Sequence, residues 1–383
     1  MFEAKAENDQ TICLRGRIDS ANAQAAEEQL FSMLAEDGIS VLECRELAYI
    51  ASSGLRILLK AVKTGYQLKM VNVNPAVYEV LEEAGFMKLI EVHKAYRVIS
   101  VENCEVIGEG ANGIVYRLDQ ETVVKVYKKQ DVLPLIEQER TMAQSALLMG
   151  IPTAIAFDIV MTEDGKYGAV YELLASKSYA KLIQSGEKTV HEIARMSTDL
   201  LKQIHAIVPE KGKLPSMKMI SLQRLEIIRK YLDEDTYEVL KRFFESIDDS
   251  NHLLHGDFHV RNVHYADGES ILIDMEKLCT GDPVFEFAPI YFAYRTFADL
   301  YTGNAEEFFG ISTDDAIALC DEMIRLYYED DEQYAKEYSK IRLIAYCRLL
   351  RYADKTPLEE SEKHRIVEYC RRKINACLKE DII

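Results

Sequence analysis

The segment Leu253-Leu-His-Gly-Asp-Phe-His-Val-Arg-Asn-Val263 carries an acid and an amide, and a second acid, Asp274, follows a short apolar strand. Phosphoryl transfer needs an acid that orients the attacking hydroxyl and accepts its proton, and oxygen ligands that hold Mg²⁺ on the nucleotide phosphates. Asp257 suits the first role, and Asn262 and Asp274 suit the second. Because Asp267-Gly268 predicts a tight turn between them, Asn262 and Asp274 flank one hairpin and can reach the same ion.

A zinc site is an alternative for the same segment, which contains histidines at 252, 255, 259 and 264. A structural zinc site needs four protein ligands, and a hydrolytic one needs three and a water. These histidines lie around a loop whose acid and amide already suit magnesium. We therefore favour magnesium and expect His255 and His259 to brace the loop by hydrogen bonds.

Gly108, Gly110 and Gly113 form a G-x-G-x-x-G pattern. A dinucleotide-binding site would need a helix after these glycines, but residues 114–118 and 122–127 are alternating, β-branched runs that predict strands. A glycine loop within a hairpin suits a flap over nucleotide phosphates, with Lys125 reaching them. The alternative is a glycine-rich surface hairpin with an exposed lysine.

The helix predicted over 134–149 offers two acids as partners for Lys125. Glu139 lies on the apolar stripe of this helix, whereas Glu137 lies on a polar face. An acid on an apolar stripe needs a partner, so we favour Glu139. The alternative is that Glu139 lies at the edge of the stripe and reaches solvent.

A further strand is predicted from Tyr167, running into a connector at residues 172–174. The backbone of such a connector can hydrogen-bond a purine. We therefore select Glu172 and Leu174 as nucleotide-binding candidates.

The pattern His-Gly-Asp-x-His-x-x-Asn followed by Ile-Asp resembles the aminoglycoside phosphotransferase family, relatives of protein kinases that phosphorylate hydroxyls of small molecules. The resemblance implies ATP and Mg²⁺ as cofactors, Asp257 as catalytic base, and Asn262 and Asp274 as metal ligands. It also implies that Lys125 holds the α and β phosphates and that Glu139 orients it.

Two further elements extend the resemblance. Gly281-Asp-Pro283 with Glu286-Phe-Ala288 is similar to the family's Gly-Asp-Pro…Asp-Leu-Ala, with Glu and Phe replacing the usual Asp and Leu. The phrase Leu201-Lys-Gln-Ile-His205 resembles the family's Leu-His element, which we interpret as packing. The fold implied for residues 100–383 is a bilobal protein-kinase-like α+β domain, with an N-lobe over about 100–174 and a helical C-lobe over about 175–383.

Residues 1–99 predict a separate α/β domain. Strands are expected over 11–18, 39–42 and 67–73, and helices over 21–36, capped by Asp19 or Ser20, over 53–64 and over 75–84.

The run Tyr49-Ile-Ala-Ser-Ser-Gly-Leu-Arg-Ile-Leu-Leu59 resembles the marker of STAS domains, the fold of bacterial anti-sigma factor antagonists. The family usually has Asp-Ser-Ser-Gly, and Ala51 stands here in place of the aspartate. The resemblance implies that Ser53 is a regulatory phosphoacceptor. The alternative is that Ser52 or Ser53 is only an N-cap of the following helix.

The formal charge of −18 and the pI near 5.0 argue against a duplex-binding nucleic-acid protein. No apolar stretch suits a signal peptide or a membrane span, and the eight cysteines are scattered. We therefore expect a cytoplasmic, bacterial chain with reduced thiols and neither nucleic-acid nor membrane partners. Residues 101–383 carry 35 basic and 50 acidic side chains. This excess suits either a cationic acceptor or merely a soluble surface.

The sequence thus predicts an ATP- and Mg²⁺-dependent kinase of an unidentified small-molecule hydroxyl, with a STAS-like regulatory module that has a protein partner. The rival is a non-catalytic or nucleotide-sensing adaptor that acts through the STAS surface in an anti-sigma partner-switching pathway.

Overall fold

The computed structural model describes residues 2–6, 11–35, 38–110, 112–129, 132–301 and 303–380. The chain divides into two compact units, one formed by residues 1–100 with 159–165 and the other by 101–158 with 166–383. Each unit has its own core of buried apolar side chains.

The first unit contains a five-stranded sheet in the order β1-β2-β3-β4-β5, with β1 antiparallel to β2 and the other neighbours parallel. Parallel neighbours require crossover connections, and three helices supply them. The strands are β1 (Glu3–Ala6), β2 (Thr11–Ile18), β3 (Ile39–Ile50), β4 (Gln67–Val73) and β5 (Glu91–Lys94). The helices are α1 (Ala23–Phe31), α2 (Ser52–Lys63) and α3 (Pro75–Glu83). A sixth strand, β6 (Arg97–Ile99), pairs in parallel with residues 160–162 of β10 (Ala156–Thr162).

The start and end of α1 differ from the prediction. The helix begins after Asn22, whose side chain accepts a hydrogen bond from the Asp19 N–H at 2.9 Å and donates one to the Arg17 carbonyl at 2.7 Å. Asp19 accepts from the Ala21 N–H instead of capping the helix. The helix ends at Phe31, five residues before the predicted end, and Glu36 lies outside the described residues.

Neither Ser52 nor Ser53 caps α2, so the N-cap alternative is wrong. The N-cap is Ala51, which has extended backbone angles, and no side chain caps this end. The helix begins one residue earlier than predicted, which places both serines inside its first turn. The Ser53 hydroxyl is buried without a hydrogen-bond partner among the described residues.

Gly54 lets α2 approach the ends of β2 and β3 closely. A Cβ at this position would lie 2.6 Å from Ile50 Cγ1 and 2.8 Å from Ile18 Cγ2. We expect Gly54→Ala to destabilise the protein by about 1–3 kcal/mol, because both isoleucines are buried and have little room to move. Urea unfolding measures this loss, and Ser52→Ala, at an exposed site of the same helix, is the control. Equal stability of the two variants would contradict the close contact.

The second unit begins with an antiparallel sheet in the order β11-β9-β8-β7. Its strands are β7 (Val106–Glu109), β8 (Gly113–Arg117), β9 (Thr122–Tyr127) and β11 (Tyr167–Glu172), with α4 (Leu133–Leu148) after β9. The predicted strand–turn–strand arrangement around the glycines is confirmed.

Two small sheets carry the segment with the chemical motifs. β12 (Lys177–Ser178), β14 (Val263–Ala266) and β15 (Glu269–Leu272) form one, and β13 (Leu253–Leu254) and β16 (Cys279–Thr280) form the other. The hairpin β14–β15 turns at Asp267-Gly268 as predicted.

Helices make up the rest of the second unit. They are α5 (Tyr179–Gln184), α6 (Val190–His205), α7 (Met217–Ile228), α8 (Glu234–Ser246), α9 (Val284–Tyr291), α10 (Asn304–Phe308), α11 (Thr313–Tyr327), α12 (Asp331–Lys355) and α13 (Glu360–Cys377). Ile341, Leu349 and Ile366 of these helices are fully buried. No described helix is both long and apolar enough to cross a bilayer.

Candidate active site

Asp257 lies in the loop between β13 and β14, and buried contacts fix this loop. Gly256 has φ +78°, and a Cβ there would lie 2.4 Å from the Lys277 carbonyl oxygen, so no other residue fits without a shift. The Glu286 carboxylate accepts hydrogen bonds from the N–H groups of His255, at 2.5 Å, and Gly256, at 3.0 Å. The loop backbone is therefore held from α9.

The predicted bracing by His255 is confirmed. The Asp257 N–H donates to His255 Nδ1, and His255 Nε2 lies 3.2 Å from the Ile273 carbonyl oxygen. These two contacts require the tautomer with its proton on Nε2. His255 thereby connects the backbone of Asp257 to the strand end before Asp274.

His259 also accepts a hydrogen bond within the loop, from the Arg261 N–H at 3.3 Å. Burial lowers the pKa of His259 to about 4, so the ring is neutral at physiological pH. Among the described residues, the carboxylates Glu139, Asp274 and Glu276 form the one His, Cys, Asp or Glu group whose ligand atoms lie close enough to share an ion. That group contains no histidine, which argues against the zinc alternative.

The Asp257 carboxylate accepts a hydrogen bond from Lys277 Nζ at 2.6 Å. Burial raises the pKa of Asp257, but the charge and hydrogen bond of Lys277, together with His259 and His255, outweigh burial and hold the pKa below its ordinary value. Asp257 is therefore ionised at neutral pH and able to accept a proton.

We expect Lys277→Met to raise the pKa of Asp257, because burial would then act without the lysine charge that opposes it. As the pH falls, Asp257 would then become protonated at a higher pH than in the wild type. The acid limb of the kcat/KM profile should therefore move to higher pH. A pH–rate profile measures the shift, and Lys213→Met, at an exposed site, is the control. An unchanged acid limb would contradict the role of Lys277.

Asn262 and Asp274 are connected through the backbone. The Ile273 N–H donates to the Asn262 carbonyl at 2.9 Å. The Asn262 side-chain amide donates to the Asp257 carbonyl at 3.0 Å, which leaves its Oδ1 as an acceptor. Asp274 follows with φ +67°, a left-handed conformation that costs on the order of 1 kcal/mol for a residue with a side chain.

The acids around Asp274 fit a divalent cation. Asp274 Oδ1 is buried and has no hydrogen-bond partner among the described residues, and its ion-pair contact with Lys125 Nζ is long at 3.9 Å. Burial and the charge of Asp274 raise the pKa of Glu276. Three carboxylates this close repel one another, and a bound cation would relieve that repulsion.

Lys125 and Glu139 form a buried ion pair with Nζ to Oε1 at 2.8 Å. The preference for Glu139 is confirmed, and the solvent-reaching alternative is wrong, because Glu139 is 3% exposed. Burial lowers the pKa of Lys125, but the charges of Glu139 and Asp274 raise it above its ordinary value. The lysine is thus a fixed cation beside the predicted metal ligands.

Two tyrosines that the sequence analysis missed complete this pair. Tyr127 donates to Glu139 Oε2, and Tyr171 donates to Oε1 at 3.1 Å. Strand parity could have identified Tyr127, because residues two apart on β9 share a face with Lys125. Tyr171 depends on the pairing of β11 with β9, which no local spacing reveals.

The glycine motif lies across the β7–β8 turn. A Cβ on Gly113 would lie 2.6 Å from the Val126 carbonyl oxygen, so close strand packing requires glycine there. Gly110 donates its N–H to the Gly113 carbonyl, whereas a Cβ on Gly108 would meet only ordinary contacts. Ala111, inside the motif, lies outside the described residues.

Backbone hydrogen bonds hold the start of the connector after β11. The Glu172 N–H donates to the Ile155 carbonyl, and the Leu173 N–H donates to the Glu121 carbonyl at 2.7 Å. The Leu174 carbonyl accepts from the Ser176 N–H. The roles of Glu172 and Leu174 toward a purine stay predictions.

A family model described as the phosphotransferase enzyme family matches residues 103–318, more than half of the chain. The chain belongs to the phosphotransferase enzyme family. A model of the STAS domain matches residues 4–98 of this phosphotransferase. Both resemblances inferred from the sequence are therefore confirmed, as is the kinase-like fold with an N-terminal STAS region. No curated protein matched the chain.

Solved structures of similar fold include a thermostable mutant of aminoglycoside phosphotransferase APH(4)-Ia in a ternary complex with ADP and hygromycin B. It has 12% identity and a TM-score of 0.51 over 79% of this chain and 98% of that chain. Another mutant of the same enzyme, with AMP-PNP and hygromycin B, has 13% identity and a TM-score of 0.50, covering 80% and 99% of the two chains. At these identities the likeness supports the phosphotransferase fold alone.

Glu286 stands where the family usually has aspartate. Its carboxylate still accepts hydrogen bonds from the backbone of the phosphotransferase's catalytic loop. His205, interpreted from the sequence as packing, also has polar contacts. Its Nδ1 lies 2.8 Å from the Tyr327 hydroxyl, and its Nε2 lies 3.8 Å from Glu286 Oε2. Burial raises the pKa of Glu286, but nearby His205, His255 and the Gly256 N–H outweigh it and lower the pKa. The Leu-His element thus supports the loop from a second helix.

Proposed function

We propose that the chain is an ATP- and Mg²⁺-dependent kinase that transfers the γ-phosphate to a hydroxyl of a small molecule. The observation that carries the proposal is the buried Lys125–Glu139 ion pair, with Asp274 3.9 Å from the lysine. A fixed cation beside an acid whose buried oxygen accepts no hydrogen bond from the described residues suits a nucleotide phosphate and its metal ion.

Each remaining part of the site has a place in this reaction. Asp257 accepts the proton of the attacking hydroxyl, and its ionised state suits that role. Asn262 and Asp274 would hold Mg²⁺, which neutralises charge on the phosphates when bound. Gly108, Gly110 and Gly113 would cover the phosphates, and Glu172 and Leu174 would face the purine. The nucleotide and hygromycin B in the APH(4)-Ia complexes support nucleotide and hydroxyl-bearing ligands for this fold.

The STAS region is proposed as a regulatory module with a protein partner, and Ser53 as its phosphoacceptor. The matched STAS model supports the first statement, and the family motif supports the second. Intact-mass spectrometry after incubation with ATP tests Ser53, and no added phosphate would count against it. The cytoplasm is the proposed location, on the basis of eight free cysteines.

Calorimetry of ATP binding in the presence of Mg²⁺ tests the nucleotide site. We expect wild-type binding to require Mg²⁺ and Asp274→Ala to lose this metal-dependent binding, because the variant lacks the buried oxygen that would ligate the ion. Glu269→Ala, at an exposed site of the neighbouring hairpin, is the control and should bind as wild type does. If the wild-type protein binds no nucleotide, the proposal fails and the STAS-dependent adaptor replaces it.

A further inference from the structure

A cleft in the second unit lies between α7, α9 and α12. Three arginines line it, Arg224 from α7 and Arg348 and Arg351 from α12, over an apolar surface that includes Phe285 and Ile344. The cavity volume within the cleft is about 30 Å³, and the cleft is open to solvent. Three cations in one cleft are unexpected in a unit with an excess of acidic residues.

Two of these arginines have no counter-ion. Arg351 pairs with Asp354 at 3.0 Å. Neither Arg224 nor Arg348 forms an ion pair with any residue that the structure describes. Arg224 has a long contact to the Met217 sulfur at 4.0 Å, and Arg348 lies 5.5 Å from the centre of the Phe292 ring. Within the described residues, no carboxylate therefore lies within ion-pair distance of either guanidinium group.

The positive charges also repel one another. Burial and the charge of Arg224 lower the pKa of Arg348, and they outweigh the charges of Asp257 and Glu286, which raise it. Burial and the charge of Arg351 act on Arg224 in the same way. Arginine does not lose its proton under these conditions, so both guanidinium groups stay charged, and a bound anion would relieve their repulsion.

The cleft adjoins the strand that leads into the catalytic loop. A Cβ on Gly281 would touch Leu254 of β13 on one side, and Phe285 and Met217 of the cleft on the other, at 3.3–3.4 Å. The charge of Asp257 acts on Arg348. The cleft and the strand before the catalytic loop are therefore neighbours within the second unit.

We propose that this cleft binds an anionic group, a carboxylate or phosphate ester, of the hydroxyl-bearing acceptor. The inference rests on the proposed kinase function and specifies its substrate class. Guanidinium groups bind both anions through paired N–H donors, and the apolar surface accommodates the carbon skeleton. An anionic acceptor is the opposite of the cationic acceptor that the net charge suggested, because local side chains rather than net charge decide what a site binds.

Binding of inorganic phosphate and of glycerate to the full chain, measured by calorimetry, tests the cleft without requiring turnover. We expect Arg348→Met and Arg224→Met each to weaken binding about 10- to 100-fold, because each removes charge-assisted hydrogen bonds. Arg242→Met, at an exposed site on α8, should bind as wild type does. Thermal melting checks that the variants fold, and Arg348→Lys should retain part of the affinity by keeping the charge. No binding, or binding unaffected at both arginines, overturns the proposal.

A transfer assay from ATP then tests the acceptor class, with glycerate, glucose 6-phosphate, glucose, choline and kanamycin as probes. Transfer to glycerate or glucose 6-phosphate, with KM raised about 10- to 100-fold by Arg348→Met, supports the inference and separates carboxylate from phosphate recognition. Transfer to kanamycin or choline, unaffected by Arg348→Met, overturns the inference but leaves the kinase function intact. Failure to bind ATP overturns the kinase function, and the phosphate titration still decides whether the cleft binds anions.

Discussion

Asp257→Asn is expected to lower kcat by about 10²- to 10⁴-fold while leaving the affinity for ATP and Mg²⁺ close to that of the wild type. Asparagine has nearly the same shape as aspartate but cannot accept the hydroxyl proton. The carboxylate is ionised because Lys277 and the neighbouring histidines together outweigh the effect of burial, so the wild-type protein has its base in the active form at neutral pH. Turnover with an acceptor found by the probe panel measures the loss.

The comparison variant for this experiment is Asp267→Asn, at an exposed turn ten residues further along the chain. It should keep wild-type kcat, because its carboxylate lies at the tip of the β14–β15 hairpin. Calorimetry on both variants separates a loss of chemistry from a loss of binding. Wild-type kcat in Asp257→Asn would exclude this residue as the base.

Glu286→Ala is expected to destabilise the protein by about 3–5 kcal/mol. The carboxylate is fully buried and accepts hydrogen bonds from the N–H groups of His255 and Gly256. Its removal would leave two buried N–H groups without partners and create a cavity, and each change destabilises a folded protein. Urea unfolding followed by circular dichroism measures the change.

Conservative variants at the same position separate the contribution of the side chain's charge from that of its size. Glu286→Gln keeps the size but removes the charge, and Glu286→Asp keeps the charge but shortens the side chain. Both should lie between the wild type and Glu286→Ala. Glu332→Ala, at an exposed site near the start of α12, should change stability by less than about 0.5 kcal/mol. A similarly small effect of Glu286→Ala would show that the loop does not depend on this carboxylate.

Parts of the site that depend on short-range spacing were predictable. Glu139 was selected because helical periodicity placed it on an apolar stripe, and it pairs with Lys125 as expected. The α2 start was misplaced by one residue, because the prediction relied on serine as a cap and the extended backbone of Ala51 provides the start. Helix ends depend on backbone angles that composition specifies poorly.

The sequence alone determined the families and most of the strand and helix order, although it missed β1, β5 and β6. It also selected Lys125, Asp257 and Asp274, because such motifs depend on residue type and on spacing within one element or hairpin. Tertiary structure decided which distant groups meet them. Glu286 reaches the catalytic loop from a different helix, and Arg224 and Arg348 line one cleft although 124 positions separate them. Such contacts arise from the packing of helices against one another, and neither periodicity nor net charge encodes that packing directly.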